Sequence, residues 1–136
     1  MAYADDQRRG VLGHGSVLVQ TSLGNRTSPV LRGKWVMEVL LGTPPPEPPP
    51  NVPPFPENDG TSQPTTVRER MEQHRKNPAC ANCHARMDAI GFAFENYDAI
   101  GGWRMHERVA SGTGNDPVVD ARGMLPNGKT FQTPDE

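Results

Sequence analysis

The sequence predicts a mainly α chain: short helices around a Cys-x-x-Cys-His motif, with a Pro-rich linker and a small β-hairpin near the C-terminus. Three observations lead there. Ser28-Pro29, Thr66 with Glu69, and Asn77-Pro78 each set a capping side chain before a helix-compatible run, and the first and last add proline at the first helical position. Nine of the 15 prolines lie between residues 44 and 56, a density that no helix or central strand accommodates. Asn127-Gly128, between short β-prone runs, is a two-residue hairpin signal.

In chain order, Val11, Leu12, Val17, Leu18 and Val19 form an apolar segment without a clean period, so helix and strand both stay open there. After Ser28-Pro29, the residues Val30, Leu31, Trp35, Val36, Val39 and Leu40 recur at roughly helical spacing, and Gly42 and Pro44 stop the helix. The proline run then extends in polyproline II form and reads as a stiff spacer rather than a docking peptide, since no basic residue flanks it. Residues 57 to 65 continue as a polar loop. Thr66 and Glu69 open a short, highly charged helix, and Asn77-Pro78 opens the next one. Ile90, Phe92, Phe94, Tyr97, Ile100 and Trp103 follow closely, with Gly101-Gly102 breaking the run before Trp103, and offer an apolar wall for a large flat ligand or a small core of their own. Val118 to Asp120 and Gly123 to Phe131 complete the chain as short strands about the Asn127-Gly128 turn. The segmentation expected is 8–43 (N-terminal helical), 44–65 (linker), 66–105 (motif-bearing) and 106–136 (the start of a following, truncated domain).

The motif is Cys80-Ala81-Asn82-Cys83-His84, and it uses both cysteines of the chain. On a helix, positions i, i+3 and i+4 share a face, so Cys80 and Cys83 can each form a thioether with a haem vinyl group while His84 binds the iron. A single covalent haem c is therefore the expected cofactor. Three other readings compete. Zinc would need a fourth ligand, for which His74 or His106 is near enough in sequence. A dithiol redox couple usually sits in a βαβ framework that this sequence lacks. A structural disulfide or a chance pattern completes the set.

Composition narrows the classes of function. A net charge of -2 gives no electrostatic case for nucleic acid, and no run approaches the roughly 20 apolar residues of a membrane span. With 34% hydrophobic residues, 15 prolines and 14 glycines, an unaided core would be marginal, and a buried cofactor would supply apolar contact. Covalent haem attachment takes place outside the bacterial cytoplasm. A periplasmic or extracellular location is expected, with the signal peptide on a longer parent of which this chain is an internal piece.

Asn25 to Val30, Arg32-Gly33-Lys34-Trp35, Leu41 to Pro46, His74-Arg75 and above all Cys80 to Arg104 carry a resemblance. Together they resemble the domains of unknown function near the C-terminus of large planctomycete-type cytochrome c proteins, over roughly residues 8 to 131. Ala89 departs from the proline expected after Asp88. The resemblance implies a place in a long secreted protein with another cytochrome c module upstream, and it implies no catalytic residue.

Function then turns on the distal side of the iron. Met87, one turn after His84, reads as core. Met124, Met105 and His106 downstream and His74 upstream are the candidate distal ligands. The expectation is an electron-transfer module serving an attached cytochrome c domain or a separate redox partner protein. The alternatives are a haem peroxidase or oxidase, drawing on Glu95 or His106 with Arg104, and a non-redox interaction module using Cys80, Cys83 and His84 for zinc. Arg86 and Arg104 are the candidates to pair with haem propionates.

Overall fold

The structure is a computed structural model that describes residues 7–8, 10–52, 55, 65–108, 116–125 and 127–136. The polar stretch 57–64 and the last three prolines of the run lie outside these residues. Among the described residues there are four helices and two small antiparallel hairpins, so the fold is mixed, helical with a minor β component, rather than mainly α.

The open question near the N-terminus resolves into both answers in succession. Helix α1 (Gly15–Gln20) buries Leu18 and ends where the Thr21 hydroxyl donates back to the Val17 carbonyl at 2.7 Å. Strands β1 (Ser22–Leu23) and β2 (Arg26–Thr27) then pair Ser22 with Thr27 and Leu23 with Arg26. Sequence periodicity misses this hairpin because two-residue strands are too short to show alternation.

Helix α2 (Pro29–Trp35) starts as its cap demands: the Ser28 hydroxyl accepts from Leu31 N at 3.3 Å, with Pro29 at the first helical position. It continues as a π-helical stretch, Val36–Leu40, in which Leu41 N reaches back five residues to Val36 O at 3.1 Å. Gly42, at φ 61°, ends it in the left-handed region. Helix α3 (Val67–His74) has the full capping box: Glu69 N donates to Thr66 Oγ1 at 3.0 Å and Thr66 N to Glu69 Oε2 at 2.8 Å. Helix α4 (Pro78–Phe92) is capped by Asn77, whose Oδ1 accepts from Ala79 N at 3.0 Å. Strands β3 (Gly123–Met124) and β4 (Thr130–Phe131) form the expected hairpin, turned by Gly128 at φ 83°.

Helices α2 and α4 carry the main packing, and two glycines set how closely they approach. A Cβ on Gly33 would stand 1.8 Å from the Met87 carbonyl oxygen, and one on Gly91 would stand 1.9 Å from that of Pro29. Each helix thus lays backbone on backbone against the other. One core cluster joins Leu18, Val36, Ala93, Phe94, Tyr97 and Phe131, with Trp35, Ile90 and Trp103 at its edge; a second joins Val67, Met71 and Phe92. Tyr97 and Trp103 meet edge-to-face at 5.2 Å. Phe131 and Ala121 are buried, so residues set apart in the sequence as the start of a following domain contribute to this core.

A buried ionic network ties the chain after α4 to α2. The Arg32 Nη1 donates to the carbonyls of Phe94 and Tyr97 at 2.7 and 2.8 Å, and its Nη2 to that of Asp98 at 2.8 Å. Glu95 lies between Arg32 (3.4 Å) and Arg104 (3.0 Å) and accepts from the Thr27 hydroxyl at 2.8 Å. Burial pushes the Glu95 carboxyl above its usual range, while the two guanidiniums and Thr27 hold it back.

Candidate functional site

The motif helix starts at the Asn77 cap, so Cys80 sits in the first turn, Cys83 and His84 in the second, and Met87 and Asp88 in the third. The i, i+3, i+4, i+7 rows put Cys80, Cys83, His84 and Met87 on one stripe. That stripe lines a cavity of about 780 Å³, within the range of about 300–1,000 Å³ for cofactor-sized sites. Both cysteines are free and half-buried.

Three further walls close around it. Helix α2 presents Val30 and Leu31, with Lys34 at the rim, where its ammonium lies 3.5 Å from Glu38. Helix α3 presents Val67, Met71 and His74, positions i, i+4 and i+7 of one face. The fourth wall is the proline run, with Pro44 to Pro49 and Val52 along the cavity and Phe55 beside them. Arg26 and Arg70 lie over the Phe55 ring at 5.1 and 5.6 Å. A segment read from sequence as a spacer is thus a wall of the site, bringing one apolar ring after another to the lining.

His84 is held by its neighbours. Its Nδ1 lies 2.9 Å from Asp88 Oδ1, one turn along α4, and its ring meets that of His74 edge-on, with centroids 4.9 Å apart and planes at 72°. For a neutral imidazole beside an ionised Asp88, this contact puts the ring proton on Nδ1 and leaves the Nε2 lone pair free to bind.

Among the candidate distal residues, the structure brings only His74 to the cavity. Met105 and Met124 are exposed and do not line it; His106 is exposed and bridges to Val118. Met105 and His106 lie on the chain that leads away after α4, and Met124 on β3 of the C-terminal hairpin. The aromatic wall is also elsewhere: Phe94, Tyr97 and Trp103 belong to the Leu18 core, and Phe92 lies beneath Arg68 at 3.9 Å. Glu95 and Arg104 are committed to their buried network, and Arg86 is exposed outside the lining. Sequence reasoning passed over Met71 and Asp88 and read the prolines as a spacer. Met71 and His74 share a helical face with Val67, a signal present in the sequence but masked by the surrounding charges.

No three His, Cys, Asp or Glu side chains among the described residues converge on a point where one metal ion could be held. No helix among them is long and apolar enough to cross a membrane.

Residues 8–107 match the family model PSCyt3, described as a protein of unknown function (DUF1588). The chain belongs to this family. No curated protein and no solved structure matches it. The PSCyt3 region takes in every described residue that lines the cavity, from Leu23 to Met87, and ends before the C-terminal hairpin.

Proposed function

We propose that this chain is a c-type haem-binding electron-transfer module of a larger secreted protein. The observation that carries this reading is the placement of Cys80, Cys83 and His84 along one wall of a single apolar cavity, with both thiols free and His84 Nδ1 occupied by Asp88. A porphyrin is attached at separate points, two vinyl carbons for the thiols and the iron for the imidazole, so the three side chains need to share a face without converging. A zinc ion would need them to converge, and they do not. The family's name, PSCyt3, agrees with a cytochrome reading.

When bound, such a group supplies a one-electron couple at its iron. The chain's own residues then have distinct tasks. Cys80 and Cys83 would anchor it through thioethers, and His84 would bind its iron through Nε2. Val30, Leu31, Val67 and the prolines of the lining would give such a group apolar contact. Lys34 and Arg26 on the lining give carboxylate side arms cationic neighbours. His74 and Met71 are the side chains of ligand type that α3 offers to the cavity, and His74 is the distal candidate kept from the sequence. A periplasmic or extracellular site of action follows from the attachment chemistry, with a redox partner protein or an attached cytochrome c domain as electron donor or acceptor.

The test is expression in a periplasm equipped for haem maturation, followed by a spectrum in alkaline pyridine. Covalently retained haem in the parent protein and its loss in the Cys80→Ala/Cys83→Ala double variant are expected. A parent protein with intact, reduced cysteines and no retained haem overturns the proposal. In the retained-haem protein, His74→Ala is expected to abolish low-spin bands, whereas Met105→Leu, His106→Ala and Met124→Leu leave them in place.

A further inference from the structure

Asp88 has a fully buried side chain, on the same helix as His84 and one turn beyond it. A buried carboxylate is costly to keep unless donors satisfy it, and Asp88 has few. Its Oδ1 accepts a hydrogen bond from His84 Nδ1 at 2.9 Å. Among the described residues its Oδ2 has no hydrogen-bond donor, and the cation paired with it is the Arg75 guanidinium, with Nε at 3.7 Å. Arg75 itself is about a quarter exposed, lies 3.9 Å from Glu72 and sits over the Phe92 ring at 5.9 Å. Among the described residues, the imidazole N–H is therefore the only hydrogen-bond donor to Asp88, and the carboxylate does not line the cavity itself.

We infer that Asp88 is a positioning residue that makes His84 an electron-rich ligand and so holds the iron at a low reduction potential, with Arg75 moderating the effect. This inference rests on the haem reading above. A strong hydrogen bond from Nδ1 to a carboxylate fixes the ring's orientation and tautomer and raises the basicity of Nε2. A more basic ligand stabilises the ferric state more than the ferrous one, which lowers the potential. Arg75, by drawing charge toward Oδ2, weakens the pull of Oδ1 on the shared proton. The two residues should therefore act in opposite directions, which a purely structural role for either would not produce.

The experiment compares haem-loaded parent protein with Asp88→Asn and Arg75→Gln by redox titration, and repeats the comparison on a His74→Ala background, in which a five-coordinate ferrous iron is expected, by resonance Raman of the iron–histidine stretch. Asp88→Asn keeps an acceptor near Nδ1 but removes the charge: a higher midpoint potential and a lower stretching frequency are expected. Arg75→Gln, on a partly exposed side chain, should move both the other way and remains a test if Asp88→Asn does not mature. Retained haem with midpoint and stretch unchanged in the variants obtained, or shifted in the same direction in both, overturns this inference and leaves the haem reading standing. A parent protein without covalent haem overturns both.

Discussion

Glu107 shows how one side chain couples the charge state of this protein to its fold. Its carboxylate accepts from Val67 N at 2.8 Å, satisfying a first-turn N–H of α3 that the capping box leaves over. Burial raises its pKa above the ordinary range, and the nearby Glu95 pushes it further the same way, against that hydrogen bond and the charges of Arg104 and Arg70. A native pKa above the unfolded value means that the folded state binds more protons. The contribution is then full below about pH 4, the unfolded value, and falls as pH rises through the raised native one. Glu107→Gln keeps the acceptor and removes the titration, so urea midpoints measured from pH 4 to pH 8 should vary less than in the parent. Arg32 sets the opposite kind of dependence, on geometry. Truncating it to alanine would leave Glu95 and three carbonyls short of donors, and a loss of about 3–5 kcal/mol in chemical denaturation is expected.

At the scale of elements, the crossing of α2 and α4 decides the width of the cavity, because Val30 and Leu31 face Cys80 to Met87 across it. Gly33 and Gly91 permit that crossing: the atoms a Cβ would strike are backbone carbonyls, which cannot rotate aside. Gly33→Ala and Gly91→Ala are each expected to cost about 1–3 kcal/mol through overpacking, read as a lower midpoint at unchanged denaturant slope. Gly24→Ala, where a Cβ meets nothing within 4 Å, is the control and should leave the midpoint close to the parent's. The capped helix starts are the most local features and the ones sequence shows best. Ser28, the Thr66–Glu69 pair and Asn77 all bond to groups within three residues, so no distant contact is needed to foresee them.

For the molecule as a whole, the C-terminal hairpin is a structural brace for the motif helix. Gly123 packs so tightly between the Ala89 carbonyl and the Phe131 ring that a Cβ would approach each to 2.4 Å. Arg68 of α3 joins the same brace through the Asp120 carboxylate at 3.3 Å and the Asp120 carbonyl at 3.0 Å. Arg122 and Arg68 hold the Asp120 carboxyl down to about 2, so that contribution persists to low pH. Phe131→Ala should cost about 3–5 kcal/mol in a denaturation series, since the ring is buried against Leu18, Val36 and Tyr97. An autonomous 106–136 segment would instead leave the melting of the motif region unchanged.

Sequence by itself determined the local grammar: where α2, α3 and α4 begin, where the late hairpin turns, and which three side chains of the Cys-x-x-Cys-His motif share a stripe. These follow from bonds spanning at most a turn or so of chain, and the residues that make them are visible together. Only the tertiary structure decided what faces that stripe. The aromatic run after the motif looks like the nearest apolar wall, yet the turn after Phe92 carries Phe94 and Tyr97 into the Leu18 core. The wall comes instead from the prolines and from Val67, Met71 and His74, segments brought to α4 by the α2–α4 crossing and by the packing of α3. Spacing along a chain says which residues share a face; the close approach of glycine to backbone says which faces meet.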